Sequence, residues 1–451
     1  MKFIQHLFIL LIVSMVALPL KAQNASQHIA VQFSSDETVF YDVDASGHFE
    51  RLDELTDLFA TIKDDWYVLN INLFSLSPDS QKLAFVAYHF DQQMQQQETT
   101  LFIYTFGHPH FQQIPLSGMG AITWSPQSDA IALVGQPQPD RTIENLNSIY
   151  IVDLASATVF AVPNSPPLAG NVLWLPDDVT LVYAKTTSPC RSETCLNVRN
   201  LFAINRLTLA QSTLTHLETA IPASTGSHYM GCSPSELSWS QNDNRIYYSL
   251  RCTDVDEDFH DTLYSVNLNA DNRFEGIIAA IQNDKATLIK NIHSNRTKQG
   301  VYLTIMSRVE QPIDSGRTKE VYDWHIFYVD GVGNIQPISD IQLSIKINLT
   351  DVAISPDENQ IALSGMDDTE AATGYLWVVD LTTGKTKISK PTLQEVCQVE
   401  WLNNHELLYS QYSEGFCGAS ETTWKLNIEN NSTENMTANL EGPIWILPIA
   451  D

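Results

Sequence analysis

The sequence predicts an all-β fold, a β-propeller of four-stranded blades, from three observations. A short apolar strand that ends in Ser-Pro, or in a close relative of that pair, recurs along nearly the whole chain, and a second apolar strand follows it each time. The steps between recurrences are 48, 50, 65, 54, 61, 47 and 45 residues, a period typical of propeller blades. The two chain ends also look like complementary parts of one further blade.

The recurring motif marks the end of the inner strand of each predicted blade. Its copies are Leu76-Ser77-Pro78-Asp79, Trp124-Ser125-Pro126, Trp174-Leu175-Pro176-Asp177, Trp239-Ser240-Gln241-Asn242, the degenerate Ile292-His293-Ser294-Asn295, Ile354-Ser355-Pro356-Asp357, Trp401-Leu402-Asn403-Asn404 and Ile446-Leu447-Pro448. The Trp residues are predicted to pack between blades rather than to line a groove, because each blade buries both of its faces and large rings fill the space.

Residues 1–22 are predicted to be a secretory signal peptide, and residues 23–451 a single propeller domain. Lys2 supplies a positive start, an apolar run covers residues 8–18, and Ala22 precedes the predicted cleavage site. The apolar run is too short to span a bilayer. The mature protein is therefore expected in a periplasm or outside the cell, without stable insertion into a membrane.

One blade is clear within residues 350–390. Its predicted elements are an inner strand at 351–355, a turn at 356–359, a second strand at 361–364, a third strand at 375–380 and a fourth strand at 385–389. Pro and Asx residues suit the tight turn. The same order of elements fits residues 70–115, 120–163, 170–218, 235–280, 288–338 and 396–437.

The chain ends are predicted to complete an eighth blade together. Residues 27–33 resemble a second strand, and 38–43 and 48–52 follow as third and fourth strands. Residues 443–448 resemble a first strand with nothing after it. Pairing the two ends closes the ring and hides two sheet edges. Eight blades are therefore favoured, with seven as the alternative.

Three segments carry a resemblance to a known family: 76–85 (LSPDSQKLAF), 354–363 (ISPDENQIAL) and 376–384 (LWVVDLTTG). They resemble the TolB-like, WD40-like (PD40-type) β-propeller repeat family. The resemblance implies the fold and leaves function open, because proteins with such blades include periplasmic assembly scaffolds, lids of serine peptidases and some polysaccharide lyases. The predicted eight blades differ from the six of the TolB type.

Charge and cysteine content narrow the function classes. The net charge is −28, and a surface of that sign repels phosphate backbones, which disfavours nucleic-acid binding. Six cysteines in an exported chain favour disulfides. Local pairs are preferred among the 15 connectivities that six cysteines allow, with free buried thiols as the alternative. The predicted disulfides are Cys190–Cys195, Cys232–Cys252 and Cys397–Cys417.

The predicted connections between second and third strands are long, and they emerge on one side, which we call the long-loop face. They cover about 88–99, 135–147, 185–199, 251–261, 306–323, 365–374 and 412–422. Long loops on one side of a rigid scaffold are typical of binding surfaces. The tight first turns lie on the opposite side, the tight-turn face.

Six of the chain's 11 arginines lie in or beside these connections. They are Arg141, Arg191, Arg199, Arg251, Arg308 and Arg317. Because Arg binds carboxylates with a forked geometry, an anionic sugar or a peptide carboxylate is the predicted ligand. The alternative is that these arginines pair with local acids such as Asp140, Glu193, Asp254 or Glu320.

The densest acidic run offers Asp254, Asp256 and Asp258 as candidate calcium ligands, because carboxylates two residues apart can wrap Ca²⁺. The alternative is a solvated acidic loop, since the run lacks the Gly and terminal Glu of an EF-hand. No other cofactor is predicted.

No G-x-S-x-G or H-E-x-x-H motif occurs. The blades occupy residues 27–448, which leaves no room for a hydrolase domain. The sequence therefore favours an exported, non-enzymatic propeller that binds a protein or peptide through the long-loop face. The alternative is a carbohydrate-active enzyme, a lyase or glycosidase acting on anionic polysaccharide at the propeller funnel. The pattern carries no signal for the oligomeric state.

Overall fold

The structure, a computed structural model, describes residues 28–33, 37–62, 74–91, 96–116, 122–135, 148–162, 172–188, 197–217, 229–254, 259–268, 274–279, 287–294, 299–313, 317–338, 347–367, 374–392, 394–412, 422–438, 440 and 444–447. Within these residues the chain forms 32 strands and one helix. The predicted signal peptide, residues 1–22, lies outside them.

The first half of the chain contains β1 (His28–Phe33), β2 (Thr38–Val43), β3 (Phe49–Arg51), α1 (Asp53–Ala60), β4 (Phe74–Leu76), β5 (Lys82–Asp91), β6 (Gln96–Thr105), β7 (Phe111–Leu116), β8 (Ile122–Trp124), β9 (Ala130–Gly135), β10 (Ser148–Asp153), β11 (Thr158–Ala161), β12 (Val172–Trp174), β13 (Thr180–Ser188), β14 (Asn197–Asn205) and β15 (Gln211–Thr213).

The second half contains β16 (Tyr229–Ser240), β17 (Arg245–Asp254), β18 (Phe259–Asn267), β19 (Phe274–Ala279), β20 (Thr287–Ser294), β21 (Gly300–Ile313), β22 (Arg317–Asp330), β23 (Ile335–Pro337), β24 (Ile347–Ile354), β25 (Gln360–Asp367), β26 (Gly374–Asp380), β27 (Thr386–Thr392), β28 (Glu395–Trp401), β29 (Glu406–Tyr412), β30 (Thr422–Asn427), β31 (Ser432–Asn435) and β32 (Ile444–Leu447).

These strands form an eight-bladed β-propeller, as the repeat predicts. Blade 1 has the order β32-β1-β2-β3, and each later run of four strands, from β4–β7 as blade 2 to β28–β31 as blade 8, forms one further blade. Adjacent strands within a blade are antiparallel, and apolar clusters of buried side chains fill the spaces between successive blades. The core is therefore divided into layers around the ring.

Blade 1 closes the ring by joining the two chain ends, which confirms the predicted pairing. β1 and β32 are antiparallel, with Ile29 opposite Leu447 and Gln32 opposite Ile444. The side chain of Gln398, on the inner strand of blade 8, accepts a hydrogen bond from Ile446 N at 3.2 Å and donates one to Ile446 O. The closing strand is thus held by a backbone ladder on one side and by an amide side chain on the other.

The sequence did not predict the one described helix. α1 begins with Asp53 and Glu54, which suit the positive end of a helix dipole. Leu55 and Phe59 are four residues apart, so they share one face and are both buried. The Phe59 ring lies 5.2 Å from the ring of Phe40. The helix therefore adds to the core between blades 1 and 2 and does not form a separate lobe.

The tryptophans at the ends of inner strands join neighbouring blades. Trp124, Trp174 and Trp401 are buried, as predicted, and Trp239 is partly buried. Each of the three buried indole N–H groups donates to a backbone carbonyl of the preceding blade's inner strand. The bonds run from Trp124 to Ser75 (3.3 Å), from Trp174 to Thr123 (3.1 Å) and from Trp401 to Ala353 (3.1 Å). The sequence position that marks the repeat therefore also positions one blade against the next.

The tight turns that follow these inner strands make the same kind of link on the tight-turn face. A backbone N–H in one turn donates to a side chain in the turn of the following blade. The bonds join Asp79 N to Ser128 Oγ (3.2 Å), Gln127 N to Asp178 Oδ1 (2.9 Å) and Asp357 N to Asn404 Oδ1 (2.9 Å). Polar residues of the motif are thus used for structure on the tight-turn face.

Arg206 breaks the repeat at a position where other blades carry an apolar residue. In six blades, a backbone N–H just after the third strand donates to a carbonyl in the tight turn of the same blade. The donor is an apolar residue in five of them and Arg206 in blade 4; the apolar donors are Phe106, Leu154, Leu268, Leu381 and Ile428. Its Nη2 lies 2.7 Å from Asp129 Oδ2 and 2.7 Å from Asp178 Oδ2. Arg206 and Asp178 are both buried and form an ion pair within blade 4, and the contact of Arg206 with the more exposed Asp129 joins blades 3 and 4.

His28 makes the closing blade sensitive to acid. Only 1% of the residue is exposed, and burial lowers its pKa from 6.5 to about 4. The Glu400 carboxylate lies 3.9 Å from His28 Nδ1, too far for a hydrogen bond, so burial dominates. The unfolded chain therefore binds the proton more readily than the folded chain between these two pKa values.

We expect the free energy of unfolding to fall by about 3 kcal/mol from this residue alone as the pH drops from 6.5 towards 4. Urea denaturation of the wild type and of His28→Gln across that range measures it. The difference in unfolding free energy between the two proteins should change with pH. A constant difference from pH 7 to pH 4 would contradict the assignment.

Candidate binding face

The predicted long loops of the long-loop face are largely β-hairpins. β5 continues to Asp91 and β6 begins at Gln96, so the strands occupy most of the predicted 88–99 loop. Strands likewise occupy most of 251–261 and 306–323, and they extend into 185–199 and 365–374, whose middle residues lie outside the described part of the chain. The reason is that these polar segments lack the apolar alternation from which strands are predicted. Where the structure describes it, the long-loop face therefore carries extended hairpins.

Blades 4, 5 and 6 are joined by backbone pairing at this face. β14 pairs in parallel with β16, with Val198 opposite Cys232. β18 pairs in parallel with β20, with His260 opposite Thr287. One continuous sheet of twelve strands results, whereas the other blades are separate four-stranded sheets. The sequence carried no signal for this continuity.

Two of the six predicted arginines lie in one row across this joined sheet, separated by Ser233 on the strand between them. Arg199 on β14 donates from Nη1 to Ser233 Oγ at 3.0 Å, and Ser233 is paired with Arg251 on β17. Arg308 and Arg317 lie on β21 and β22, away from this row. Arg141 and Arg191 lie outside the described residues. The structure therefore brings together Arg199 and Arg251.

Arg251 is already occupied by an acid, as the alternative interpretation held. Its Nε and Nη2 donate to the two carboxylate oxygens of Asp261 at 3.0 and 2.9 Å. Asp261 also accepts a hydrogen bond from Ile289 N at 2.7 Å. The side chain of Asp261 is fully buried. This pair is a structural link between blades 5 and 6, and it is built on Asp261 rather than on Asp254.

Each inner strand from blade 5 to blade 8 carries a β-bulge. The pairing register shifts after Pro234, at Lys290, at Thr350 and at Cys397. A bulge leaves a residue unpaired and changes where neighbouring side chains point. The inner strands border the propeller axis, so the bulges make the backbone there irregular.

The residue three positions before the end of the motif strand has a repeated structural role. In blade 7, Asp351 accepts a hydrogen bond from Val399 N at 3.0 Å, and in blade 8, Gln398 bonds to Ile446. Both therefore link their blade to the next inner strand. Burial raises the pKa of Asp351 to about 6, although Val352 N and Val399 N donate to it. Glu236 occupies the equivalent position in blade 5 and makes no such link.

Three half-buried charged side chains, Arg199, Glu236 and Lys290, have no ionic partner among the described residues. Burial lowers the pKa of Arg199. Burial also raises the pKa of Glu236, an effect that Asp261 increases and that the positive charges of Arg251 and Lys290 oppose. We call these three residues the charged triplet. Arg199 lies on β14 in blade 4, Glu236 on β16 in blade 5 and Lys290 on β20 in blade 6.

The sequence analysis proposed Arg199 and did not point to Glu236 or Lys290. The signal that could have located them is the repeat itself, because Glu236 aligns with Asp351 and Gln398. The sequence does not show which of these side chains bonds to the inner strand of the next blade. The side-chain contacts in the structure show it.

The calcium and disulfide predictions fall partly outside the described residues. Asp254 lies at the end of β17, and Asp256 and Asp258 lie in an interval that the structure does not describe. Among the described residues no group of acidic, His or Cys side chains could hold a metal ion.

Of the predicted disulfides, Cys232–Cys252 is present and joins two residues directly opposite each other on β16 and β17. Cys397 is also disulfide-bonded, and Cys417, Cys190 and Cys195 lie outside the described residues.

A groove of about 610 Å³ lies on the tight-turn face between blades 7 and 8, where the sequence predicted no site. Its lining is mostly polar. Gln360 forms part of it and is bound by Lys387 Nζ at 3.1 Å, and Lys387 also lies 3.4 Å from Asp380. His405 Nδ1 lies 3.0 Å from Glu429 Oε1, and both side chains are exposed. These groups already satisfy one another, so the groove lacks the unpaired charges of the long-loop face.

Comparisons with known proteins support the fold alone. No protein-family model matches the sequence, and no curated protein matches it. The dipeptidyl peptidase 4 of Porphyromonas gingivalis aligns with a TM-score of 0.53 at 10% identity over 91% of this chain and 58% of that one. A eukaryotic initiation factor aligns with a TM-score of 0.51 at 10% identity over 94% and 99%.

A putative TolB from Agrobacterium tumefaciens aligns with a TM-score of 0.34 at 12% identity over 70% of this chain and 88% of that chain. The two alignments with TM-scores of 0.53 and 0.51 agree with the predicted fold and carry no information on function. In the part of the chain that the structure describes, no helix has the length and apolar character needed to cross a membrane.

Proposed function

We propose that this chain is an exported β-propeller that binds a protein or peptide partner through its long-loop face and catalyses no reaction. The charged triplet is the observation that carries the proposal. A half-buried charge without a partner is costly in the free protein, and an opposite charge on a ligand offsets that cost. Arg199 and Lys290 suit carboxylates of a partner, and Glu236 suits an ammonium group.

The proposal is tested by capturing partners from an extract of the organism that makes the protein. The double variant Arg199→Gln with Lys290→Gln removes both cations of the triplet. Lys387→Gln, on the tight-turn face, is the matched control, because it removes one cation far from the triplet. We expect the double variant to bind the captured partner about tenfold more weakly or worse, and the control to bind it as the wild type does.

The opposite result would overturn the proposal. If Lys387→Gln weakens binding and the double variant does not, the partner uses the tight-turn face. If neither variant changes the dissociation constant, the charged triplet is not part of the interface. Thermal unfolding of each variant separates lost binding from lost folding.

One observation favours a second candidate function, a carbohydrate-active enzyme on anionic polysaccharides. Glu236 is a half-buried carboxyl group with a raised pKa beside Arg251 and Lys290, and a raised pKa is typical of a general acid in glycosidic cleavage. A screen of uronic-acid polymers, with and without divalent metal, measures new chain ends. Activity that Glu236→Gln lowers about a hundredfold or more would support this function. No new chain ends in any condition would remove it.

A further inference from the structure

The hairpin of β21 and β22 projects beyond its blade. β21 pairs with β20 only as far as Ser307, opposite Thr287. Residues 308–313 of β21 and 317–322 of β22 continue as six further antiparallel pairs, from Arg308 opposite Tyr322 to Ile313 opposite Arg317. We call these two segments the arm. At about 3.3 Å per residue, it extends roughly 20 Å past the blade.

Backbone hydrogen bonds near the C-terminal end of β22 show which of its residues direct their N–H and C=O groups away from β21. Asp330 N donates to Asn334 O at 3.1 Å, and Ile326 O accepts from Ile338 N at 3.0 Å. Even-numbered residues of β22 therefore direct their backbone groups to the side opposite β21. The register continues without a bulge to the end of the arm. The backbone N–H and C=O groups of Thr318, Glu320 and Tyr322 therefore also point away from β21.

The two edges of the arm are not equivalent. Pro312 lies opposite Thr318. Because Thr318 points away from β21, Pro312 also directs its nitrogen away from β22, towards the outer edge of β21. Proline there removes a donor from the edge and costs no bond within the arm, which is a known way to block strand addition. The β22 edge has no proline in residues 317–322.

In two other blades, a strand of this chain pairs with the corresponding edge of the third strand. Val198 and His260 lie seven residues before the ends of third strands β14 and β18, and each pairs there with a parallel strand. The equivalent residue of β22 is Asp323, and no strand pairs with β22 between Arg317 and Ile326 on this side among the described residues. In blades 4 and 5 the third strand thus accepts an extended, parallel backbone at this edge, whereas no strand among the described residues pairs with residues 317–322 of β22.

We propose that the outer edge of β22 over residues 317–322 binds an extended segment of a partner protein as an added parallel strand. The outward N–H and C=O groups of Thr318, Glu320 and Tyr322 supply the hydrogen bonds. This inference rests on the proposed function and specifies the partner's binding segment as an extended peptide.

The probe is a phage-displayed library of linear peptides, selected on the full mature chain and followed by synthesis of the enriched peptides. Glu320→Pro removes one outward donor from the β22 edge. Glu310→Pro is its matched control, because Glu310 lies directly opposite Glu320 and the substitution removes the same charge from the edge that Pro312 already blocks. Both leave the hydrogen bonds within the arm unchanged.

We expect Glu320→Pro to weaken peptide binding about tenfold or more and Glu310→Pro to change it less than about twofold. A peptide N-methylated at alternate residues gives a second measurement, since only one of the two alternating sets faces β22 and should lose binding. Enrichment of no peptide, equal binding by both proline variants, or insensitivity to both methylated sets would overturn the inference. Binding that depends on Arg199 and Lys290 but not on Glu320→Pro would overturn strand addition and leave the proposed function standing.

Discussion

Arg206→Ala is expected to lower the free energy of unfolding by about 3–5 kcal/mol, because it leaves the buried Asp178 carboxylate without its partner. The Arg206 guanidinium contacts Asp129 and Asp178 and lies 5.9 Å from the Trp174 ring. Removing it breaks a link between blades 3 and 4 as well as a charge pair. Urea denaturation at pH 7 measures the loss.

The repeat supplies the control for this prediction. Other blades place leucine at the Arg206 position, as at Leu154 and Leu381. In the double variant Arg206→Leu with Asp178→Asn, the buried charges are gone, and the asparagine oxygen can still accept the hydrogen bond from Gln127 N. We expect this variant to unfold within about 1 kcal/mol of the wild type. A loss of less than 1 kcal/mol in Arg206→Ala would show that the ion pair does not hold the blades together.

Removing residues 442–451 is expected to have a still larger effect. It deletes β32, whose Ile444, Ile446 and Leu447 side chains are buried. At about 2–5 kcal/mol for each buried aliphatic side chain, the loss is roughly 6 kcal/mol or more, a large share of a domain's usual stability. We expect the truncated chain to lose its cooperative unfolding transition at 25 °C. A synthetic peptide of residues 442–451 should restore it.

A graded series separates ring closure from a general defect of the truncated chain. Ile446→Val is expected to cost about 0.5–1.5 kcal/mol, and Ile446→Ala about 2–5 kcal/mol. Both leave the backbone ladder with β1 in place. A truncated chain that unfolds with the wild-type midpoint would contradict the role of blade 1 in closing the ring.

Much of the fold could be predicted from the sequence because the repeat is a local signal. Trp124, Trp174 and Trp401 mark inner strands in the sequence and hold neighbouring blades together in the structure. Ring closure could also be predicted, since residues 27–33 and 443–448 each lack a partner that the other supplies. Helix α1 was missed because eight residues with one buried face give a weak periodic signal.

The candidate site was harder to predict because it depends on register. Arg251 pairs with Asp261, a residue directly opposite on the next strand, and sequence reasoning had considered the nearer Asp254. The loop at 306–323 is two strands, since its polar residues gave no sign of pairing. Glu236 is distinguished from Asp351 and Gln398 only by contacts, because the side chains of those two residues bond to the next blade. Contacts between blades, rather than within them, separate structural polar residues from those available to a ligand.

The twelve-stranded sheet from β12 to β23 has a mechanical consequence. Separate blades slide or tilt against one another by repacking side chains, whereas blades 4, 5 and 6 share backbone hydrogen bonds at their boundaries. Local opening of the ring should therefore occur mainly at the boundaries between the other blades, where amide hydrogen exchange would be fastest. The arm and the charged triplet belong to this joined sector of three blades.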